Sequence, residues 1–151
     1  MGDVPVEIRR AHVADAGAVA SVWLRSRTAS APQIPPPVHS DDDVHDYFER
    51  VMLSEQEVWV AEANGGVVAL LVLDGDWIEQ LYVDPEHCGN SIGSQLIAIA
   101  KRERPDELKL WTFEANSGAR RFYELHGFVA TGSTPGANEE GAPDVRYEWQ
   151  P

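Results

Sequence analysis

The run EVWVAEANGGVVALLVLDGDWIEQLYVDP, residues 57–85, constrains the fold more than any other part of the chain. Three β-branched and apolar stretches are separated by Asn64-Gly65-Gly66 and Asp74-Gly75-Asp76, and Pro85 ends the third. Turns this short join antiparallel neighbours, so the run predicts a three-stranded meander.

The flanks add helices and further strands. VEIRRAH predicts a short first strand, and Ala14–Arg27 a helix with Val19, Val22 and Trp23 at helical spacing and Asp15 near its start. Four prolines in TASAPQIPPPVHSDDD forbid regular structure there. From Val44 a second helix places Val44, Tyr47, Phe48, Val51 and Met52 on one face. Asp41, Asp42 and Asp43 precede it, where carboxylates favour a helix N-terminus.

After Pro85, a helix aligns Ile92, Leu96, Ile99 and Ala100 and ends near Arg104-Pro105. ELKLWTF is a strand, and Asn116–His126 a helix with Ala119, Phe122, Tyr123 and His126 on one side, stopped by Gly127. A Gly/Thr/Pro-rich loop then leads to a last strand, DVRYEWQ. The expected architecture is one α/β domain over residues 1–151, a mixed sheet with helices on both faces.

Composition narrows the partners. Twelve basic against 25 acidic residues give a net charge of −13, which disfavours nucleic acid and anionic membranes and suits a cationic substrate as well as plain solubility. The single cysteine, Cys88, excludes an internal disulfide and a multi-cysteine zinc site. No apolar run is long enough to span a bilayer, and MGDVPVEIRR has no apolar signal core, so a cytoplasmic protein is expected. His39 and His45 flank acidic residues, but their spacing matches no established metal pattern, and no metal is expected. Gly-x-Ser-x-Gly is absent, which argues against a hydrolase elbow.

Two stretches carry chemistry. YVDPEHCGNSIGSQL, residues 82–96, joins a strand to a helix through Gly89 and Gly93. A helix N-terminus with close-approach glycines cradles phosphate through backbone N–H groups; the same residues also make a plain tight turn, and spacing does not decide between them. In WIEQLYV, strict alternation puts Trp77, Glu79, Leu81 and Val83 on one face and Ile78, Gln80 and Tyr82 on the other. Glu79 among apolar neighbours would have a raised pKa and suit a general base; at a solvated edge or beside an arginine it would not.

The chain resembles the GCN5-related N-acetyltransferase (GNAT) superfamily over nearly its whole length. Cys88-Gly89-Asn90-Ser91-Ile92-Gly93 aligns with the central motif Gln/Arg-x-x-Gly-x-Gly/Ala, with Cys88 in place of Gln/Arg and Ser91 in place of the first motif glycine. LYVDP, NSGARRFYELHGF and PDVRYEW extend the likeness. A serine at 91 costs roughly 1–2 kcal/mol if that position needs positive φ.

The resemblance implies direct transfer from acetyl-CoA to a small-molecule or protein amine, with Glu79 as base and Tyr123 protonating the departing thiolate. It implies that Leu81, Tyr82 and Val83 pair with the pantetheine arm. Cys88, Gly89, Asn90, Ser91, Ile92, Gly93 and Ser94 would cradle the pyrophosphate. Asn116, Ala119 and Phe122 would complete the donor site. By spacing alone, Tyr123 reads as a core aromatic. The acceptor is expected between the proline loop and the loop before the last strand, where His39, Glu139 and Asp144 are candidates. Related proteins often form homodimers. The alternative is a non-catalytic sensing module of the same fold with a degenerate coenzyme A site.

Overall fold

The computed structural model describes residues 6–29, 40–52, 55–87, 91–136 and 141–151. Strands β1 (Glu7–Arg10), β2 (Glu57–Ala63), β3 (Gly66–Asp74), β4 (Trp77–Val83), β5 (Leu108–Phe113), β6 (Val129–Thr134) and β7 (Asp144–Trp149) form one sheet in the order β1-β2-β3-β4-β5-β7-β6. All pairings are antiparallel except β4 with β5. The helices are α1 (Ala16–Ala29), α2 (Asp41–Tyr47), α3 (Ile92–Glu103) and α4 (Ser117–Leu125).

The predicted meander is β2–β3–β4, and β3 explains its apolar run. Leu70 and Val72 enter a core with Val19, Val22 and Phe48 from the α1–α2 side. Ala69, Leu71 and Leu73 enter the opposite core with Ile92, Leu96 and Tyr123 from the α3–α4 side. A strand buried on both faces needs apolar residues throughout. At roughly 25 cal/mol per Å² of apolar surface, each fully buried Leu or Val contributes about 1.5–3 kcal/mol.

Three local readings need correction. The second helix starts at Asp41, with Ser40 Oγ accepting from the Asp43 N–H at 3.2 Å. The three aspartates therefore form the first turn, and a π-helical segment, Phe48–Met52, follows. The Gly/Thr/Pro-rich stretch before β7 contains β6, a mostly exposed edge strand whose VATGST sequence has no apolar alternation to announce it.

The third correction concerns β4. Val72 pairs with Gln80 but Leu73 with Ile78, so Glu79 is the extra residue of a β-bulge. The bulge reverses the alternation predicted for WIEQLYV. Ile78, Leu81 and Val83 all pack toward α3 and α4, while Tyr82 packs toward α1. Glu79 does not share a face with Leu81 and Val83; it is turned outward and exposed.

The sheet splits between β4 and β5. Only Trp77 and Lys109 register as a pair there, with Lys109 N–H donating to Asp76 O at 2.9 Å. Beyond that point the strands part, and residues of both line a cleft between them.

Candidate functional site

Two cavities open from this cleft. The larger, about 600 Å³, is walled by Leu81, Tyr82 and Val83 of β4, by Ser91, Ile92, Gly93 and Ser94 where α3 begins, and by Asn116, Ala119, Phe122 and Tyr123. Most of the residues expected to hold the donor thus lie together. The smaller, about 220 Å³, lies between β4 and β5 and is lined by Glu79, Gln80, Trp111, Thr112, Phe113, Tyr123 and Asp144 among others. Leu81, Tyr82, Asn116, Ala119 and Tyr123 border both, so the two cavities meet. Cys88, Gly89, Asn90, His39 and Glu139 lie outside the described residues.

The cradle is built at the start of α3, twelve residues long and so carrying a full helix dipole. Ser91 is its N-cap at φ 62° and ψ 8°, the left-handed conformation that costs a non-glycine residue about 1–2 kcal/mol. Gly93 serves packing: a Cβ there would lie 3.1 Å from Phe122 Cζ. The missing side chain lets α4 lie against the first turn of α3. Ser94 Oγ and His126 Nε2, 3.0 Å apart, tie the same two helices. Burial and Lys101 push the His126 pKa down, so the imidazole is held toward its neutral form.

The cradle contains no Lys or Arg from residue 84 to 100. Arg120 is committed elsewhere, to Tyr147 Oη at 3.1 Å and Glu114 O at 3.3 Å. The cradle's other edge is braced from α1: Ser26 Oγ donates to Val83 O, and Arg25 pairs with the buried Asp84.

Glu79 and Tyr123 sit on different walls of the smaller cavity. Although Glu79 is open to solvent, the surrounding protein withdraws enough water to push its pKa above the usual carboxylate range, and the Asp74 charge adds to this. Tyr123 is 8% exposed and sits in ring contact with Phe122, Phe128 and Tyr147. Burial, reinforced by Tyr82, pushes its phenol pKa far upward, so it stays protonated across the neutral range. Asn116 caps α4 by accepting from the Ala119 N–H at 3.1 Å, which turns its NH2 away from the helix. Asp144 lines the cavity and is hydrogen-bonded by Thr134 Oγ1.

Sequence reading missed Gln80, Trp111, Thr112 and Phe113 as lining residues. Alternation along β5 would have separated Trp111 from the buried Leu110, but which face borders a cleft depends on the split, which leaves no local signal. Among the described residues, no group of three His, Cys, Asp or Glu side chains is disposed to hold a metal, and no helix is long and apolar enough to cross a membrane.

A family model for the acetyltransferase (GNAT) domain matches residues 54–130. The peptidyl-lysine N-acetyltransferase YjaB of Escherichia coli K12 is 28% identical over 128 residues, an alignment covering 84% of each chain. An uncharacterised N-acetyltransferase of Methanocaldococcus jannaschii, MJ1207, is 31% identical over 98 residues; the alignment takes in 54% of this chain and 43% of that relative. The solution structure of apo YjaB superposes with a TM-score of 0.78 at 24% identity, covering 96% of this chain and 97% of the other. YncA of Salmonella typhimurium, solved with acetyl-CoA, gives a TM-score of 0.69 at 23% identity, covering 96% and 93%. At these identities the solved structures establish the fold. The family match spans just over half the chain, centred on the meander and the cradle, and the chain belongs to the GNAT acetyltransferase family.

Proposed function

We propose that this chain transfers an acetyl group from acetyl-CoA to a primary amine by direct attack within a ternary complex. The observation that carries this reading is that Glu79 and Tyr123, with oppositely useful proton chemistry, line one small cavity that joins a larger, helix-capped one. The residues present fit the donor. The α3 N-terminus offers backbone N–H groups to a pyrophosphate, and Gly93 lets Phe122 pack against the turn that presents them. Leu81, Tyr82 and Val83 wall the larger cavity where β4 parts from β5, and an extended pantetheine arm would run along them like an added strand.

Acetyl-CoA supplies the activated thioester. Glu79 accepts the proton released as the amine nitrogen forms its bond to the acyl carbon, and a raised pKa brings it closer to the working pH. A β4 backbone N–H polarises the acyl oxygen, and Tyr123 gives its proton to the sulfur as the C–S bond breaks. The acceptor enters beside Glu79 and Asp144, whose charges favour an amine. It is a small molecule or a protein amine; the peptidyl-lysine activity that gives YjaB its name supports including the latter.

A second reading is favoured by one feature. Ser91 at φ 62° and a cradle without basic side chains suit a sensing module with weak donor affinity. Thermal melting with acetyl-CoA separates the two. At ligand about 100 times its dissociation constant, stabilisation is about 2.7 kcal/mol. For a domain of this size that is a rise of roughly 5–11 °C, absent with a plain adenine nucleotide. Acetylation of members of an amine panel completes the test. No shift at millimolar acetyl-CoA overturns the donor site, and a shift without turnover on any amine leaves the sensing module.

A further inference from the structure

The side chain of Gln80 is held in one orientation by a residue 57 positions away in sequence. Trp23 Nε1 on α1 donates to Gln80 Oε1 at 3.1 Å. An indole nitrogen can only donate, so the amide oxygen must face it, and the NH2 must point elsewhere. Trp23 itself is fixed: Phe48 and Tyr82 meet its ring edge-on at centroid distances of 6.1 and 6.3 Å, and the Arg27 guanidinium lies 4.9 Å from its centroid. Among the described residues, no group accepts a hydrogen bond from the Gln80 NH2.

Gln80 lines the smaller cavity and not the larger one. It directly follows the bulge, on the strand that carries Glu79, and lies on the face of β4 that packs against α1. Its two N–H donors are therefore presented on the acceptor side, in a cavity whose charged lining groups, Glu79 and Asp144, are both carboxylates. A free carboxylate on the acceptor would be repelled there, whereas an uncharged oxygen would meet the donors without that penalty.

We propose that Gln80, locked by Trp23, is a specificity-determining residue that selects amines bearing an uncharged carbonyl oxygen, as in a peptide-like amide, over plain alkylamines and amino-acid carboxylates. This rests on the acetyltransferase reading of the same cavity. Gln80 donates to the carbonyl and so sets the approach of the amine to Glu79. Trp23 acts only through Gln80 and is a positioning residue.

The test compares Nα-acetyl-lysinamide and alaninamide with butylamine as acceptors, using wild type, Gln80→Leu, Gln80→Glu and Trp23→Phe. Gln80→Leu should lower the ratio of kcat/KM for the better amide to that for butylamine about tenfold, with the change carried by KM. Gln80→Glu should lower it further, and Trp23→Phe in the same direction but less. A general fault in folding would depress all acceptors alike and leave the ratio fixed. In the wild type, the Gln80 side-chain 15N–1H pair should shift when the amide acceptor is added and not with butylamine. A ratio unchanged in both Gln80 variants, or a loss carried by kcat alone, would overturn the proposal while leaving the transferase standing. Absence of turnover on every amine, despite acetyl-CoA binding, would remove the parent reading and this one with it.

Discussion

The two halves of the sheet are built on different terms. From β2 to β4 it is covered on both sides, and β3 contributes buried side chains to two separate cores. From β5 to β6 the core lies, among the described residues, on the α3–α4 face, where Leu108, Leu110, Val145 and Tyr147 are buried. Among the described residues, none of β5, β6 or β7 joins the core under α1 and α2. Trp111 is left 43% exposed, and Val129 on β6 64% exposed. The first half is closed, the second is, among the described residues, open on the face away from α3 and α4, and the cleft lies where they part. Side chains from both halves reach the small cavity, Glu79 and Gln80 from one and Trp111 and Asp144 from the other.

The comparison predicts that chemistry concentrates at the junction while stability concentrates in the closed half. The largest effect should come from Glu79→Gln, a loss of about 10²–10⁴-fold in kcat/KM near neutral pH. A base works deprotonated, so wild-type kcat/KM should rise with pH through a midpoint above the usual Glu range, and the variant should lose that rise. The deficit should therefore narrow at high pH, where solvent competes as base. A loss of equal size at every pH would remove Glu79 as base. Glu79 is exposed, so the melting temperature should barely move.

Leu70→Ala, in the doubly covered strand, should destabilise by about 2–5 kcal/mol in denaturant titrations. A cost under 1 kcal/mol would break the contrast between the halves. Tyr123→Phe should slow turnover about 10²-fold or more while the acetyl-CoA dissociation constant stays within about twofold. Turnover at the wild-type rate would return Tyr123 to the role of a core aromatic. Ser91→Gly should remove left-handed strain and raise stability by roughly 0.5–1 kcal/mol, net of the extra chain entropy of glycine. It should also tighten acetyl-CoA binding if that strain is larger in the bound state, which titration calorimetry would measure. The smallest effect belongs to the open half: Val129→Thr should stay within about 0.5 kcal/mol. A cost of several kcal/mol would mean that a partner covers this edge in solution.

The chain announces its closed half far more clearly than its open one. The run from Glu57 to Val83 is legible because apolar stretches end at Gly-containing turns, and the observed β2, β3 and β4 match it almost residue for residue. β6 is illegible because an edge strand with one exposed face needs no apolar pattern. The bulge is hidden for a different reason. WIEQLYV alternates cleanly on paper, and the slip exists only in its pairing with β3. The site divides in the same way. Gly93 and the start of α3 are visible as local chemistry, whereas Tyr123 and Asn116 take on functional meaning only through family resemblance. The link from Trp23 to Gln80 spans the chain and leaves no local trace.

The bulge at residue 79 also separates two kinds of inheritance. As the unpaired insertion in β4, position 79 faces no partner across the ladder and fills no core, so its side chain can change identity at little structural expense. Its presence as a residue is just as loosely tied to the ladder. Deleting it would close the bulge and leave Ile78 and Gln80 as ordinary alternating neighbours, with Leu81, Tyr82 and Val83 on the faces they occupy now. Position 79 is thus a detachable socket on a fixed thread: lineages sharing this strand are free to refit or drop the reactive group while the strand that carries it keeps its packing.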